Sequence, residues 1–125
     1  MVQRSRPSPL PSAPALVLAV GTERLGVWPT EGLRRLSLAQ ARILHVSWAH
    51  MSVTIVQRHT PQAVLCPLLG AGFDAVDMAE RLAEARYRGL LLVVPEIALP
   101  DPRLIRQELG RAAARRFGVE VLQPA

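Results

Sequence analysis

The turn Gly70–Ala71–Gly72 stands directly before a predicted helix and could bind an anion. Backbone N–H groups and the positive end of a helix dipole are the groups that hold a phosphate at such a site. Asp74 and Asp77, however, place two carboxylates where the phosphate would lie. The spacing also fits neither the P-loop nor the dinucleotide-binding fingerprint. The pattern therefore favours a plain turn, with anion binding as the alternative.

The cysteine and the histidines of this chain lack the context that a catalytic or metal-binding side chain needs. Cys66, the single cysteine, ends an apolar run, which predicts a buried thiol without the neighbouring base that reactivity needs. All 15 basic residues are arginine, so Schiff-base and P-loop lysines are excluded. The histidines lack metal-site spacing, and we predict a packed or surface position for each of them: His45, His50 and His59.

A polar stripe with a spacing of four residues runs along the last predicted helix. A solvated face opposite the core is one interpretation, and a surface for an acidic partner or another anion is the other. Nucleic acid is the weaker form of the second interpretation, because no helix-turn-helix or aromatic RNA-binding signature accompanies the stripe. The stripe consists of Arg103, Gln107, Arg111 and Arg115.

Five short apolar runs predict the strands that must position these residues. Continuous apolar runs that alternate with helices indicate parallel strands covered on both faces. We therefore predict an α/β fold, a doubly wound, flavodoxin-like sheet of five parallel strands in the order 2-1-3-4-5. The runs are Ala15–Val20, Ile43–Trp48, Ala63–Cys66, Leu90–Val94 and Val119–Leu122.

The helices between these strands are predicted with different clarity. Thr30 could cap a short helix through about Gln40, and the segment 51–58 suits either a helix or a strand. Asp74 caps a later helix that ends at Gly89, and a last helix runs from Pro102 to about Arg116. Their predicted inward residues are Val76, Ala79, Ala83 and Tyr87, and Leu104, Ile105, Leu109 and Ala113.

Length and composition indicate one domain, over residues 15–125. Residues 1–14 are rich in proline and show no apolar periodicity, which predicts a disordered tail. No stretch has the roughly eighteen continuous apolar residues of a membrane span. A single cysteine excludes an internal disulfide and is typical of the reducing cytoplasm, where we expect the protein. The net charge is +5.

Ligands of doubly wound sheets bind at the carboxyl ends of the strands, so those ends are the candidate site. A cleft there would be formed by residues that follow the first, third and fourth strands. We expect the cleft at Glu23, Gly70, Gly72 and Glu96, near Gly21 and Thr22.

The segment Gln62–Ala83, QAVLCPLLGAGFDAVDMAERLA, resembles without a gap the central strand, loop and third helix of the receiver domains of two-component response regulators. The resemblance extends over about 15–124 and implies the same α/β fold. In receivers the phosphate-accepting Asp ends this strand, and here Pro67 takes its place. Proline cannot act as a nucleophile.

The other chemical positions of a receiver also differ in this chain. The resemblance places Gly21 and Thr22 at the acidic pair that holds Mg²⁺, with only Glu23 acidic nearby. It places Pro95 at the Ser or Thr that binds the phosphate, and Gln123 at the Lys that follows the fifth strand and precedes a proline. These differences imply a pseudo-receiver, either a decayed receiver or a flavodoxin-like relative that never bound phosphate.

The first functional hypothesis is thus a non-enzymatic signalling module, without cofactor or metal, that binds a protein partner. Receivers end with a fifth helix, which is missing before Ala125, so apolar side chains of the first and third strands should be exposed unless the N-terminal tail covers them or a C-terminal extension was removed. Such a face would support a homodimer or partner docking. The alternatives are a small ligand-binding protein or enzyme using the strand-end cleft, and a weak nucleic-acid binder using the arginine stripe.

Overall fold

Five parallel strands form a single sheet in the order β2-β1-β3-β4-β5, which confirms the predicted topology. The structure, a computed structural model, describes residues 15–114 and 116–123. The predicted tail at 1–14, Arg115 of the polar stripe, and Pro124 lie outside the described residues, as does the side chain of Arg24. The strands are β1 Leu16–Val20, β2 Arg42–Val46, β3 Ala63–Pro67, β4 Leu90–Val94 and β5 Gly118–Val121.

Four helices connect the strands, and one of them settles an open alternative. The segment around 51–58 is helical, because Ser52 precedes it and its hydroxyl accepts a hydrogen bond from the Ile55 N–H at 3.2 Å. The last helix ends four residues earlier than predicted, and Ala114, with φ +53°, turns the chain away. The helices are α1 Thr30–Arg35, α2 Val53–His59, α3 Ala75–Glu84 and α4 Pro102–Ala112.

Two predicted inward residues are on the wrong side of their helices. Val76 is 36% exposed, while Met78 and Leu82 are fully buried, so the apolar stripe of α3 is displaced from the predicted one. Leu104 is 60% exposed in the first turn of α4, whereas Leu109 is buried as predicted. Both errors occur in the first turn, where a helix begins beyond the edge of the sheet that it covers.

The side chains of the strands alternate between two core layers. Leu18, Val64 and Leu91 lie in the layer under α2, α3 and α4. The other layer lies under α1 and its flanking loops, and it includes Val17 and Leu92. Within the described chain, no helix is long and apolar enough to cross a membrane.

The prediction that strands one and three have an exposed face is wrong. Val17, Ala63 and Leu65 point to the α1 side of the sheet and are fully buried. The cover reaches as far as β5: a Cβ on Gly32 of α1 would lie 2.9 Å from Leu122 Cδ2. No helix follows β5 among the described residues, and one short helix with long loops covers the area instead.

Candidate functional site

The carboxyl ends of the five strands meet at one end of the sheet, which we call the carboxyl edge. Gly21 follows β1, and its N–H donates to the Val46 carbonyl at 3.0 Å. Leu68 N–H, after Pro67, donates to the Val94 carbonyl at 3.0 Å. Parallel pairing therefore brings the positions compared with a receiver site to the same edge: Gly21, Thr22, Pro67, Pro95 and Gln123.

The side chain of Phe73 fills the centre of this edge. A Cβ on Gly21 would lie only 2.6 Å from Phe73 Cε1, and one on Gly70 would overlap the same ring. Phe73 is 6% exposed, so the ring is enclosed rather than lying on the surface. The two glycines thus leave the space that a phenyl ring occupies between β1 and the loop after β3.

A second aromatic ring and a cation extend this contact outward. The rings of Trp48 and Phe73 stack with centroids 4.5 Å apart and planes inclined by 10°. The Arg81 guanidinium lies 3.8 Å from the Trp48 ring, and its Nη1 donates to the Met51 carbonyl at 2.7 Å. We call Phe73, Trp48 and Arg81 the aromatic column. It ties β1, the loop after β2 and α3 together through apolar and cation–π contacts.

The carboxylates beside the column are used by the backbone of α3. Asp74 Oδ1 accepts from the Asp77 N–H and Asp77 Oδ2 accepts from the Asp74 N–H, each at 2.9 Å. This reciprocal capping box satisfies donors at the start of the helix. The N–H of Gly70 donates within the loop to the Phe73 carbonyl at 2.8 Å. The loop therefore forms the plain turn that the sequence favours.

The cleft expected from the sequence is not formed by these residues together. Gly70 packs against Phe73, whereas Gly72 lies beside Trp48 at the outer side of α3. Glu23 borders a cavity of about 350 Å³ at the ends of β1 and β2. Glu96 lines a different cavity at the ends of β4 and β5. The aromatic column lies between these residues, and ligand binding by any of them stays a prediction.

The cavity next to Glu96 has a volume of about 770 Å³. It lies between the loop that precedes α1 and the last residues of β4 and β5. Its walls are mainly apolar, and Glu31, Arg35 and Glu96 supply charges. The apolar lining includes Val27, Trp28, Val94, Pro95 and Leu122.

Gln123, at the position compared with the receiver Lys, binds a loop rather than facing an open site. Its Oε1 accepts from the Leu99 N–H at 2.8 Å, and its Nε2 donates to the Leu99 carbonyl at 3.2 Å. Both ends of the amide thus hold the loop between β4 and α4 against the end of β5. Pro95, at the Ser or Thr position, is buried at the other end of that loop.

The reactive side chains have the surroundings that the sequence favours. Cys66 is fully buried, and burial, with a smaller effect of the Asp74 carboxylate, raises the pKa of its thiol far above the usual range. His45 Nδ1 is 3.3 Å from Thr22 Oγ1, and His50 Nδ1 is 2.7 Å from Ser47 Oγ. In residues 15–114 and 116–123, no three His, Cys, Asp or Glu side chains are grouped to hold a metal ion.

The described part of the polar stripe is exposed and largely engaged in ion pairs. Arg103 Nε lies 3.2 Å from Asp101 Oδ1, and Arg111 Nη1 lies 3.6 Å from Glu108 Oε1. Gln107 is exposed between them. Exposed pairs of this kind contribute little to stability, and they reduce the charge available to an anion.

Sequence reasoning missed the aromatic column. The signal that could have revealed it was the pair of glycines at equivalent strand ends, Gly21 and Gly70, in a chain with only five aromatic residues. A small residue at each end leaves a volume that a large neighbouring side chain can fill. The periodicity of strands and helices carries no information about which side chain fills it.

No protein-family profile matches the chain, and no curated protein sequence matches it. Among solved structures, it is similar to the signal receiver domain of the response regulator NarL from Mycobacterium tuberculosis. That comparison has a TM-score of 0.52 and 16% identity, and covers 90% of this chain and 86% of the other. It is also similar to a CheY-like receiver domain from Methylobacillus flagellatus, with a TM-score of 0.46 and 15% identity over 89% and 86%.

A flavodoxin from Megasphaera elsdenii, in its two-electron reduced form, is similar to a comparable extent. The TM-score is 0.47 and the identity 16%, with 86% of this chain and 88% of the flavodoxin covered. The likeness to the NarL receiver domain, at 16% identity, shows a shared fold alone. The chain therefore has the receiver fold, which is a flavodoxin-like architecture.

Proposed function

We propose that this protein is a signalling module that binds protein partners without undergoing phosphotransfer. The observation that carries the proposal is the enclosed ring of Phe73 between Gly21 and Gly70. An aspartyl phosphate needs a carboxylate nucleophile and a hydrated Mg²⁺ bound to oxygen ligands. A phenyl ring supplies neither, and it excludes water from the place where the ion would lie.

The remaining groups at the carboxyl edge support the same proposal. Pro67 offers no nucleophile, Gln123 is engaged with Leu99, and Asp74 and Asp77 are engaged in capping α3. Glu23 is the exposed carboxylate nearest in sequence to the end of β1. One carboxylate without a second beside it is a poor site for a hard divalent cation. We therefore propose that the fold serves to present surfaces that bind protein partners.

Intact mass after incubation with Mg²⁺ and acetyl phosphate tests the proposal. We expect no gain of a phosphoryl group by the folded protein, because the edge lacks both an acceptor and a metal site. Circular dichroism of the same sample establishes that the protein is folded. A phosphoryl gain that disappears in Asp74→Asn, and persists in the control Glu80→Gln, would contradict the proposal and identify Asp74 as the acceptor.

Binding of a small apolar ligand is a second candidate function, favoured by the cavity of about 770 Å³. Ligand sites are typically concave and apolar with a few polar groups, and this cavity combines Trp28 and Val94 with Glu96. It shares Glu96 with the cleft expected from the sequence, but it lies between the loop that precedes α1 and the ends of β4 and β5, away from Gly70 and Gly72. A ligand held there would be recognised by shape and by the charges of Glu96 and Arg35.

A further inference from the structure

The large apolar side chains that remain exposed share one end of the molecule. Val27, Leu69 and Ile97 lie in the loops after β1, β3 and β4, and are 76%, 71% and 74% exposed. Leu104 and Val76 lie in the first turns of α4 and α3, which begin at the same edge. Scattered single apolar residues are normal on a surface, but a group at one edge marks an interaction site.

Carboxylates accompany these apolar side chains at the carboxyl edge. Glu96 precedes Ile97 directly and is exposed, and Glu23 is exposed after β1. Neither carboxylate forms an ion pair with a described side chain. A partner that covers this edge should therefore offer an apolar recess flanked by positive charge.

The opposite end of the sheet, which we call the amino edge, carries that chemistry. Helices end there and strands begin, and exposed arginines occupy the connections, with Glu84 and Glu108 as nearby counter-charges. Arg86 and Arg88 form no ion pair with described side chains. The exposed arginines of this edge include Arg42, Arg58, Arg86, Arg88, Arg111 and Arg116.

Arg86 and Arg88 line a hollow of about 410 Å³. The buried side chains of Val56 and Tyr87 also line it, so the hollow combines apolar surface with positive charge. The volume exceeds that of one isoleucine side chain. An apolar residue next to a carboxylate, such as Ile97 next to Glu96, matches the apolar lining and the positive charge of this hollow.

We propose that the protein self-associates head to tail, with the Glu96–Ile97 corner of one copy bound in the Arg86–Arg88 hollow of the next. We choose a second copy as the partner because this chain itself carries both surfaces: the exposed acidic and apolar pair, and a hollow that combines arginines with apolar side chains. The alignment of helix dipoles accounts for acids at one edge and arginines at the other, but gives no reason to expose Ile97 or Leu69. Such a contact joins two different surfaces, so it generates open chains or rings rather than a closed pair of equivalent faces.

The mass distribution of the full chain in solution, measured by sedimentation velocity over a concentration series, tests this contact. We expect species larger than the monomer to increase with protein concentration and to decrease with salt, because charge complementarity contributes to the contact. Glu96→Gln with Ile97→Ser should weaken association at least about tenfold, since an apolar anchor and its charge are removed. Arg86→Gln with Arg88→Gln should have the same effect from the other side.

Mixing the two double variants distinguishes head-to-tail binding from a symmetric dimer. Each variant retains one intact edge, so each should be monomeric alone, and the mixture should form a one-to-one complex that does not extend. The matched control, Arg103→Gln with Arg106→Gln, removes two exposed arginines outside the hollow and should associate like the unchanged protein. Circular dichroism and denaturant unfolding verify that every variant is folded.

A protein that stays monomeric at all concentrations and at low salt would overturn the inference, as would a dimer that neither double variant weakens. The inference rests on the proposed function, because it names a partner for the module, but the two can fail separately. A phosphoryl gain from acetyl phosphate would refute only the proposed function, while an unchanged monomer mass would refute only the self-association.

Discussion

Phe73 is the side chain that fills the carboxyl edge. A Cβ on Gly21 or Gly70 would overlap its ring, and the ring stacks on Trp48, so Phe73 contributes packing at this edge. A buried aromatic pair stabilises beyond its area by about 0.5–1.5 kcal/mol. We infer that the position contributes to stability rather than to reaction.

Replacing Phe73 by Ala tests this inference at the residue scale. We expect the free energy of unfolding to fall by about 3–5 kcal/mol, because the substitution leaves a cavity under Trp48. Leu69→Ala, in the same loop but 71% exposed, should change it by less than about 0.5 kcal/mol. Urea denaturation followed by circular dichroism measures both. Equal effects of the two substitutions would show that the ring is not an anchor.

Among the elements, the loop between β4 and α4 depends on one side chain from the end of β5. Gln123 pairs with both backbone groups of Leu99, and the chain between β4 and α4 contains Pro95, Pro100 and the capping residue Asp101. The loop has no regular structure of its own, so these two hydrogen bonds supply much of its order. The glutamine amide fits because it carries both a donor and an acceptor.

Gln123→Ala should release this loop. We expect the free energy of unfolding to fall by about 1–2 kcal/mol, since two partly buried hydrogen bonds are lost. The Leu99 amide should exchange with solvent faster, as measured by hydrogen exchange with mass spectrometry or NMR. Gln107→Ala, on the exposed face of α4, is the matched control and should leave Leu99 exchange unchanged. Unaltered exchange of the Leu99 amide in Gln123→Ala would contradict the role of these two hydrogen bonds in ordering the loop.

Across the whole molecule, the parallel topology separates the charges. Every helix begins at the carboxyl edge, so favourable helix caps and first turns place Glu31, Asp77 and Asp101 there. Residues that end helices, such as Arg58 and Arg111, lie at the opposite edge for the same electrostatic reason. Local helix stabilisation thus adds up to a charge polarity of the entire domain, which could orient an approaching partner.

The free energy of unfolding should decrease at alkaline pH because of two buried side chains in the core. Burial raises the pKa of Cys66 and, as the larger of two opposed influences, that of Tyr87, so the folded state holds both in the neutral form. In the unfolded chain they lose protons near about pH 8.5 and 10. The unfolded state then binds fewer protons than the folded one. The free energy of unfolding should therefore be unaffected by these groups below about pH 8 and fall at higher pH, by up to about 1.4 kcal/mol per pH unit for each group.

Denaturant unfolding between pH 7 and 10.5 measures this dependence. Cys66→Ala should remove the decline that begins near about pH 8.5 and leave the later one from Tyr87. His59→Gln, which alters an exposed residue at the end of α2, serves as the control. Identical pH profiles for Cys66→Ala and the unchanged protein would show that the thiol does not contribute.

The order and type of the strands followed from the sequence, because each apolar run must be buried on both faces of a parallel sheet. Leu90–Val94 was predicted with its observed bounds, and the start of α3 followed from Asp74 as its cap. The inward positions of Val76 and Leu104 were predicted wrongly, because the first turn of a helix projects past the sheet. Hydrophobic periodicity describes the helix alone and contains no information about where the sheet beneath the helix ends.

The sequence by itself determined the fold class and the strand order, while the comparison of Pro67, Pro95 and Gln123 with a receiver site stays a prediction. Those conclusions depend on residue types and on patterns within one segment. Only the tertiary structure decided that Phe73 fills the edge, that Gln123 binds Leu99, and that α1 covers the sheet face expected to be bare. Each of these depends on contacts between segments 24 to 90 residues apart in the chain, such as Leu99 with Gln123 and Gly32 with Leu122. Side-chain volume and direction govern such contacts, and neither is encoded in a local hydrophobic pattern.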